Sequence, residues 1–449
     1  MARICFILVA GLDASLPRRA GAAPTLADFP WRTVLGPVTP AVTCVVQATL
    51  TTGVAPEKHG IIANGLYTYN NLSIHQYLDT ASYPEFRRQI SFWEQANALL
   101  EAPRLWRGRP GGTALLFWQQ SMPDAADIIL TPKPDHAPGA ITSGVCWSRP
   151  AGLYPHLVSR LGPFPLEHYW GPRAGLPASQ WIVRAAMDVW KNQPVDLQLV
   201  YVPHLDYNLQ RLGPDHPAIA GDVAAVDALL APLVRQVRAD GGRVIIAGDY
   251  AMHGVSRAIF PNLALRRAGL LATRPDENGK LLIDYQDGAA VAMVDHQVAH
   301  VYCAPSAIDS AADVFRKLPG VARVVRSTPD KRELGLANSR SGSLVLLSAA
   351  EEWFAHDWWL SDEEKPPWQF SVDIHRKPGY DPRELFFDPA RRCIAQDTAL
   401  VKGSHGVPGT DPNRWPLLLS DVPLPEGNDY LPAIQCAHWL CGLPAVESV

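Results

Sequence analysis

The chain has few features that would build a covalent framework. Its 449 residues include seven cysteines, at positions 5, 44, 146, 303, 393, 436 and 441. The number is odd, only Cys436 and Cys441 stand close together, and no C-x-x-C occurs. This argues against a disulfide scaffold and a cysteine-rich zinc module, so a reducing, cytoplasmic compartment is expected. Charge imbalance is also missing. The net charge is -4, which gives no electrostatic case for a nucleic-acid polymer or an anionic membrane as partner. No apolar run is long enough to span a bilayer, and no internal repeat or low-complexity tract is visible. The opening stretch "MARICFILVAGLDASLPRR" has a short apolar core and no small-x-small cleavage site. It reads as a first buried strand, with an export signal as the alternative.

Proline and tryptophan are plentiful instead, at 41 and 14 residues. Prolines at that density suggest long ordered loops; the tryptophans suggest apolar walls, in core or pocket. Three runs, Ile4 to Asp13, Leu197 to Asp206 and Gly242 to Tyr250, are continuous in Val, Ile and Leu and end in a polar or glycine-containing turn. Such runs fit strands buried on both faces of a parallel sheet. Between them lie helical patterns. "AGDVAAVDALLAPLVRQVRADGG" has a glycine stop at Gly241, and "SQWIVRAAMDVWKNQ" has Ser179 as its expected N-cap. The order implies α/β architecture with right-handed crossovers.

Ligands in open α/β sheets bind beyond the carboxyl ends of strands. Asp13, Asp206 and Asp249 stand there; singly, each would pass for a turn or cap residue. From about 261 to 368 the texture changes to short strands, turns and aromatic edges, read as an inserted α+β cap on a core formed by 1-260 and 369-449. "SGSLVLLSAAEEWFAHDWW" reads there as a strand pair. The cap's Trp353, Trp358, Trp359 and Trp368 either cover a leaving group or pack the cap's own core.

"TCVVQATLTTG" reads as a short helix with Thr43 at or near its N-cap and Gly53 as its stop. A hydroxyl there lies among free backbone N–H groups, where anions bind. A simple capping threonine would look the same.

The stretch "TLTTGVAPEKHGIIANG" resembles the nucleophile segment of the type I phosphodiesterase and nucleotide pyrophosphatase branch of the alkaline phosphatase superfamily. The resemblance extends along most of the chain, and outside its motifs it is thin. It implies an alkaline-phosphatase-like, mostly parallel sheet flanked by helices, and a threonine nucleophile at Thr43. It also implies divalent metals, commonly zinc, with Asp206, Asp249 and His405 as ligands, and a small phosphorylated substrate. "PHLDYNLQRLGP", "VIIAGDYAM" and "VKGSHGVPG" carry those ligands. The departures are as informative. Ala10, Gln210 and Tyr250 stand where the family has metal ligands. Val46, with Gln47 beside it, stands where an asparagine that holds a phosphoryl oxygen is expected.

Other residues could substitute. Asp373 and His375 lie two apart on an expected strand, with Lys377 on the same face if it continues. His296 and His300 lie four apart, Asp13 stands just past the first strand, and His204 and His253 flank two strand ends. His59 is expected to order the turn after the helix. The leading expectation is a metal-dependent phosphohydrolase acting on a phosphodiester, pyrophosphate or phosphonate. The alternatives are a catalytically altered protein that binds a phosphorylated metabolite, and a group transferase. A homodimer is compatible with the sequence.

Overall fold

A computed structural model describes residues 3–442, apart from 20, 22, 70–87, 105, 108–110, 134, 138–139, 143–145, 277, 374–375 and 426–428. The sequence-predicted runs become the middle of an eight-stranded sheet. Its strands are β1 (Ile4–Val9), β2 (Trp31–Val34), β3 (Gly112–Leu116), β4 (Ile128–Pro132), β5 (Cys146–Arg149), β6 (Val195–Val202), β7 (Arg243–Gly248) and β12 (Leu417–Ser420). The spatial order is β2-β12-β7-β1-β6-β3-β4-β5. The run β7-β1-β6-β3-β4 is parallel throughout, with Ile4 level with both Leu197 and Arg243. Antiparallel strands close both sides, β12 against β7 and β5 against β4. Phe6, Ile7, Leu8 and Val9 are fully buried, as expected for a strand covered on both faces. Each such side chain contributes roughly 1.5–3 kcal/mol by leaving water.

The helices that place the site are α1 (Thr43–Thr52), α2 (Leu176–Asn192), α3 (His204–Leu212), α4 (Ile219–Ala239) and α6 (Ala433–Cys441). All ten residues of α1 are buried, so it is a core helix with no solvated face. It ends where the sequence indicates: Gly53 is left-handed, φ 71°, and its N–H reaches the carbonyl of Thr49. α2 starts earlier than the sequence suggests. Gly175 precedes it and Pro177 lies in its first turn, so Ser179 is a buried interior residue.

A second, four-stranded antiparallel sheet has the order β8 (Ala290–Asp295), β9 (Val298–Cys303), β11 (Leu344–Ser348), β10 (Val321–Val325), with α5 (Ile308–Arg316) against it. Glu352–Phe354, expected to pair with β11, instead runs parallel to Arg257–Ile259. The β8–β9 hairpin reaches back to the main sheet's loops. It turns at His296, which has a positive φ of 59°, and its tip docks on the loop of His405: the Gln297 N–H donates to the His405 carbonyl at 2.9 Å. Trp358, Trp359 and Trp368 pack in the apolar cluster of this sheet, and Trp353 in a smaller one. Packing is therefore what the four tryptophans do. Among the described residues, no helix is long and apolar enough to cross a membrane.

Candidate active site

Thr43 is the first helical residue of α1, not its cap. Val42 holds the cap position in extended conformation and gives no side-chain hydrogen bond. The free N–H of Cys44 is met from elsewhere: Asn64 Oδ1 accepts it at 2.9 Å. Asn64 is fixed in turn by Asp295 at the end of β8, whose carboxylate accepts the Asn64 N–H at 2.7 Å and Nδ2 at 3.2 Å. The capping duty thus falls on a residue from another loop. The Thr43 hydroxyl is left to face Tyr201 Oη, 3.4 Å away on β6.

Both groups line a cavity of about 160 Å³. Asp206, Tyr250, His296, His405 and Asn64 line it too, with an aromatic wall of Trp93, Tyr169, Trp170, Tyr207 and Tyr380. The indoles expected from the tryptophan-rich stretch are supplied by Trp93 and Trp170 instead. Trp170 is held by its Nε1–H, which donates to Glu384 Oε2 at 2.5 Å.

Asp206 sits in the first turn of α3 rather than immediately past its strand. Its Oδ1 accepts the Tyr250 hydroxyl at 3.1 Å, and its Oδ2 accepts Gln210 Nε2 at 2.6 Å. Gln210 also exchanges hydrogen bonds with the Tyr380 hydroxyl, at 2.9 and 3.0 Å. Burial pushes the Asp206 carboxyl up to about 6, against the pull of Gln210 and Tyr250. Asp249 Oδ1 accepts the N–H groups of Gly11 at 3.0 Å and Tyr250 at 2.9 Å, while its Oδ2 has no partner. Gly11 makes this approach at φ 70°, and a Cβ there would stand 2.7 Å from Leu209 Cδ1. Burial holds Asp249 well above the usual carboxylate range.

His405 Nδ1 lies 2.7 Å from the Ala41 carbonyl. A carbonyl can only accept, so Nδ1 carries the proton and Nε2 keeps its lone pair, 3.9 Å from Asp206 Oδ1. Burial pushes the imidazole down to about 3, so it is neutral near pH 7. Tyr250 stacks on one side of it, with centroids 3.6 Å apart and planes 6° apart, and His296 at 3.7 Å. His296 stacks on Tyr380 at 3.9 Å.

The structure therefore gathers Thr43, Asp206, Tyr250, His296 and His405 at one cavity, with Gln210 and Asp249 directly behind. Asp13, Gln47, Asp373 and Lys377 do not line it. Asp13 Oδ1 caps the turn at Ser15 and Leu16. Gln47 Oε1 accepts the Gln119 N–H inside the core. Asp373 is not in a strand, and it pairs with Arg376. Lys377 is buried between Asp381 at 2.9 Å and Glu384 at 2.7 Å. His375 lies outside the described residues. His300 bonds the Ile62 carbonyl, His253 the Val407 carbonyl, and His204 faces Asp222. The amide beside Thr43 is Asn64, not a residue on α1. The sequence signal was the asparagine that closes "HGIIAN", whose return to the helix start cannot be read from spacing.

The donor set does not fit the two divalent metals the resemblance implies. Ala10 has no donor, Gln210 and Tyr250 direct hydrogens at Asp206, and one oxygen of Asp249 is already spent on backbone N–H groups. Among the described residues, no group of three or more His, Cys, Asp and Glu side chains stands together as a metal site would require.

Comparison with solved structures supports the fold. Murine ectonucleotide pyrophosphatase/phosphodiesterase 5 aligns over 100% of this chain and 97% of its own, at 14% identity and a TM-score of 0.57. Another structure of that murine protein is a complex with AMP. Phosphonoacetate hydrolase from Sinorhizobium meliloti 1021, in complex with phosphonoformate, aligns over 98% and 96%, at 15% identity and a TM-score of 0.62. No curated protein matches the chain in sequence. The sequence model of type I phosphodiesterase / nucleotide pyrophosphatase matches residues 4–381. With the strand-tip cavity and its threonine in view, the chain belongs to the type I phosphodiesterase / nucleotide pyrophosphatase family.

Proposed function

We propose that the chain hydrolyses a small, singly charged phosphoryl ester, a phosphodiester or phosphonate ester, with Thr43 as nucleophile. The observation that carries this is the uncapped Thr43 hydroxyl. It opens into the cavity at the positive end of a buried helix, where negative charge is stabilised. The charge class follows from the lining. None of the described lining residues is lysine or arginine, and a dianion without a counter-charge is costly to desolvate.

In this reading the Thr43 oxygen forms a bond to phosphorus as the bond to the leaving oxygen breaks. The threonine proton passes to the Tyr250 oxygen as the Tyr250 proton passes to Asp206, which Tyr250 already hydrogen-bonds. Tyr201 and the second N–H of the Asn64 amide meet the phosphoryl oxygens. Water then attacks phosphorus as the threonyl oxygen leaves; that oxygen takes the proton back from Asp206 through Tyr250, and the departed ester oxygen is protonated from solvent. The aromatic wall suits a flat or apolar leaving group.

The test is a panel of aryl phosphodiesters, phosphonate esters and phosphomonoesters with wild-type protein and Thr43→Ala. Turnover of diesters or phosphonate esters, lost in Thr43→Ala with unchanged melting temperature, is the expected result. Unchanged turnover in Thr43→Ala would overturn the nucleophile. Ligand binding by wild-type protein with no hydrolysis of any panel member would replace the enzyme reading with that of a binding protein.

A further inference from the structure

We infer that Tyr250 and Gln210 close the metal positions of this fold, so that the cavity takes no divalent cation at Asp206, Asp249 and His405. The inference rests on the reading of this cavity as the phosphoryl site, and it asks what that site binds besides substrate.

A zinc or manganese ion needs several lone pairs converging on one point. Here each Asp206 oxygen and Asp249 Oδ1 already accept hydrogen bonds; Asp249 Oδ2 and His405 Nε2 keep free lone pairs, but among the described residues no three such side chains stand together as one site. The two oxygens of Asp206 accept from a phenol at 3.1 Å and an amide at 2.6 Å. The amide cannot be turned to offer its oxygen, because that oxygen would then face a carboxylate, which only accepts. The Tyr380 hydroxyl bonds both ends of the amide and holds it in place, while Asp206 alone sets which end faces the carboxylate. Tyr250 cannot swing aside freely, because its ring lies flat on His405 at 3.6 Å. The same residue fixes Asp249, whose Oδ1 accepts the Tyr250 backbone N–H at 2.9 Å. The phenol and the amide thus stabilise Asp206 by donating hydrogens, the part a cation would otherwise play. Among the described residues the Tyr201 hydroxyl has Thr43 as its hydrogen-bond partner, which leaves it able to turn to an incoming oxygen.

The experiment measures metal directly. Purified full-length chain is incubated with zinc or manganese, desalted and assayed by elemental mass spectrometry, beside His405→Ala and the triple variant Ala10→Asp, Gln210→His, Tyr250→His. The wild type is expected to retain only substoichiometric metal, equal to that of His405→Ala, and the triple variant to gain stoichiometric zinc. Stoichiometric metal in the wild type, lost in His405→Ala, would overturn the inference whether or not the triple variant folds. A second readout is hydrolysis in excess EDTA, expected to stay within about two-fold of the untreated rate. Abolition by EDTA with restoration by zinc would also overturn it. Failure of every substrate to turn over would instead defeat the hydrolase reading and leave the metal result standing.

Discussion

The Tyr250 hydroxyl donates to Asp206 Oδ1 at 3.1 Å, joining the loop after β7 to the first turn of α3 through one buried proton. Removing that donor is informative because its ring does a separate job, stacking on His405. Tyr250→Phe keeps the stack and loses the bond. Leaving one carboxylate oxygen unpartnered should cost about 1–3 kcal/mol of stability. If the phenol carries the Thr43 proton, turnover should fall by about 10²–10⁴. Chemical denaturation with steady-state kinetics checks both. Wild-type turnover in a folded Tyr250→Phe protein would remove the phenol from the proton path.

Asn64 bridges the start of α1 and the tip of β8 through Cys44 and Asp295. Asn64→Ala exposes the first free N–H groups of α1 and deletes an amide donor at the cavity. Stability should fall by about 0.5–2 kcal/mol, as for a lost cap. The ratio kcat/KM should fall about 10²-fold, as for a lost oxyanion donor. A loss of stability alone would confine Asn64 to capping.

Lys377 looked from its motif like a residue of the site, but it is buried between Asp381 and Glu384. Lys377→Met leaves those acids short of a counter-charge and should destabilise the fold by about 3–5 kcal/mol. Thermal unfolding reads this as a large drop in Tm. An unchanged Tm with abolished turnover would mean that the lysine acts in the chemistry.

His59 ties the turn after α1. The Ile61 N–H donates to its Nδ1 at 3.1 Å, so its Nε2–H faces Thr49 Oγ1 at 3.0 Å. Burial pushes it from 6.5 down to about 3, so it stays neutral when folded and takes up a proton on unfolding. The stability it contributes is complete above pH 6.5 and is lost as pH falls from there toward 3. One such proton is worth up to about 1.4 kcal/mol per pH unit. His59→Gln should therefore flatten the acid limb of the stability curve relative to wild type, as read by denaturation at a series of pH values. Parallel curves would mean that the imidazole is not buried neutral.

The sheet was legible because its central strands have to be apolar on both faces, and β1, β6 and β7 announce themselves that way. α1 was legible at Gly53, whose left-handed conformation few other residues adopt. Ser179 misled because its hydroxyl suits a cap, whereas Pro177 starts the helix one turn earlier. Thr43, Asp206, Tyr250 and His405 were legible as motif positions. What Tyr250 does there was not, because a phenol in place of a ligand says nothing of where its hydrogen points. Asn64 was missed for a related reason: its partner Asp295 is 231 residues away, and only the folded hairpin brings them together.

The most direct measurement is capture of the nucleophile. The wild-type protein is quenched in acid during turnover of an aryl phosphodiester, digested, and the peptide containing Thr43 is weighed by mass spectrometry. A phosphoryl adduct on Thr43 that decays with the kinetics of product release is the predicted result. An unmodified Thr43 peptide throughout turnover, together with full activity in Thr43→Ala, would contradict the account.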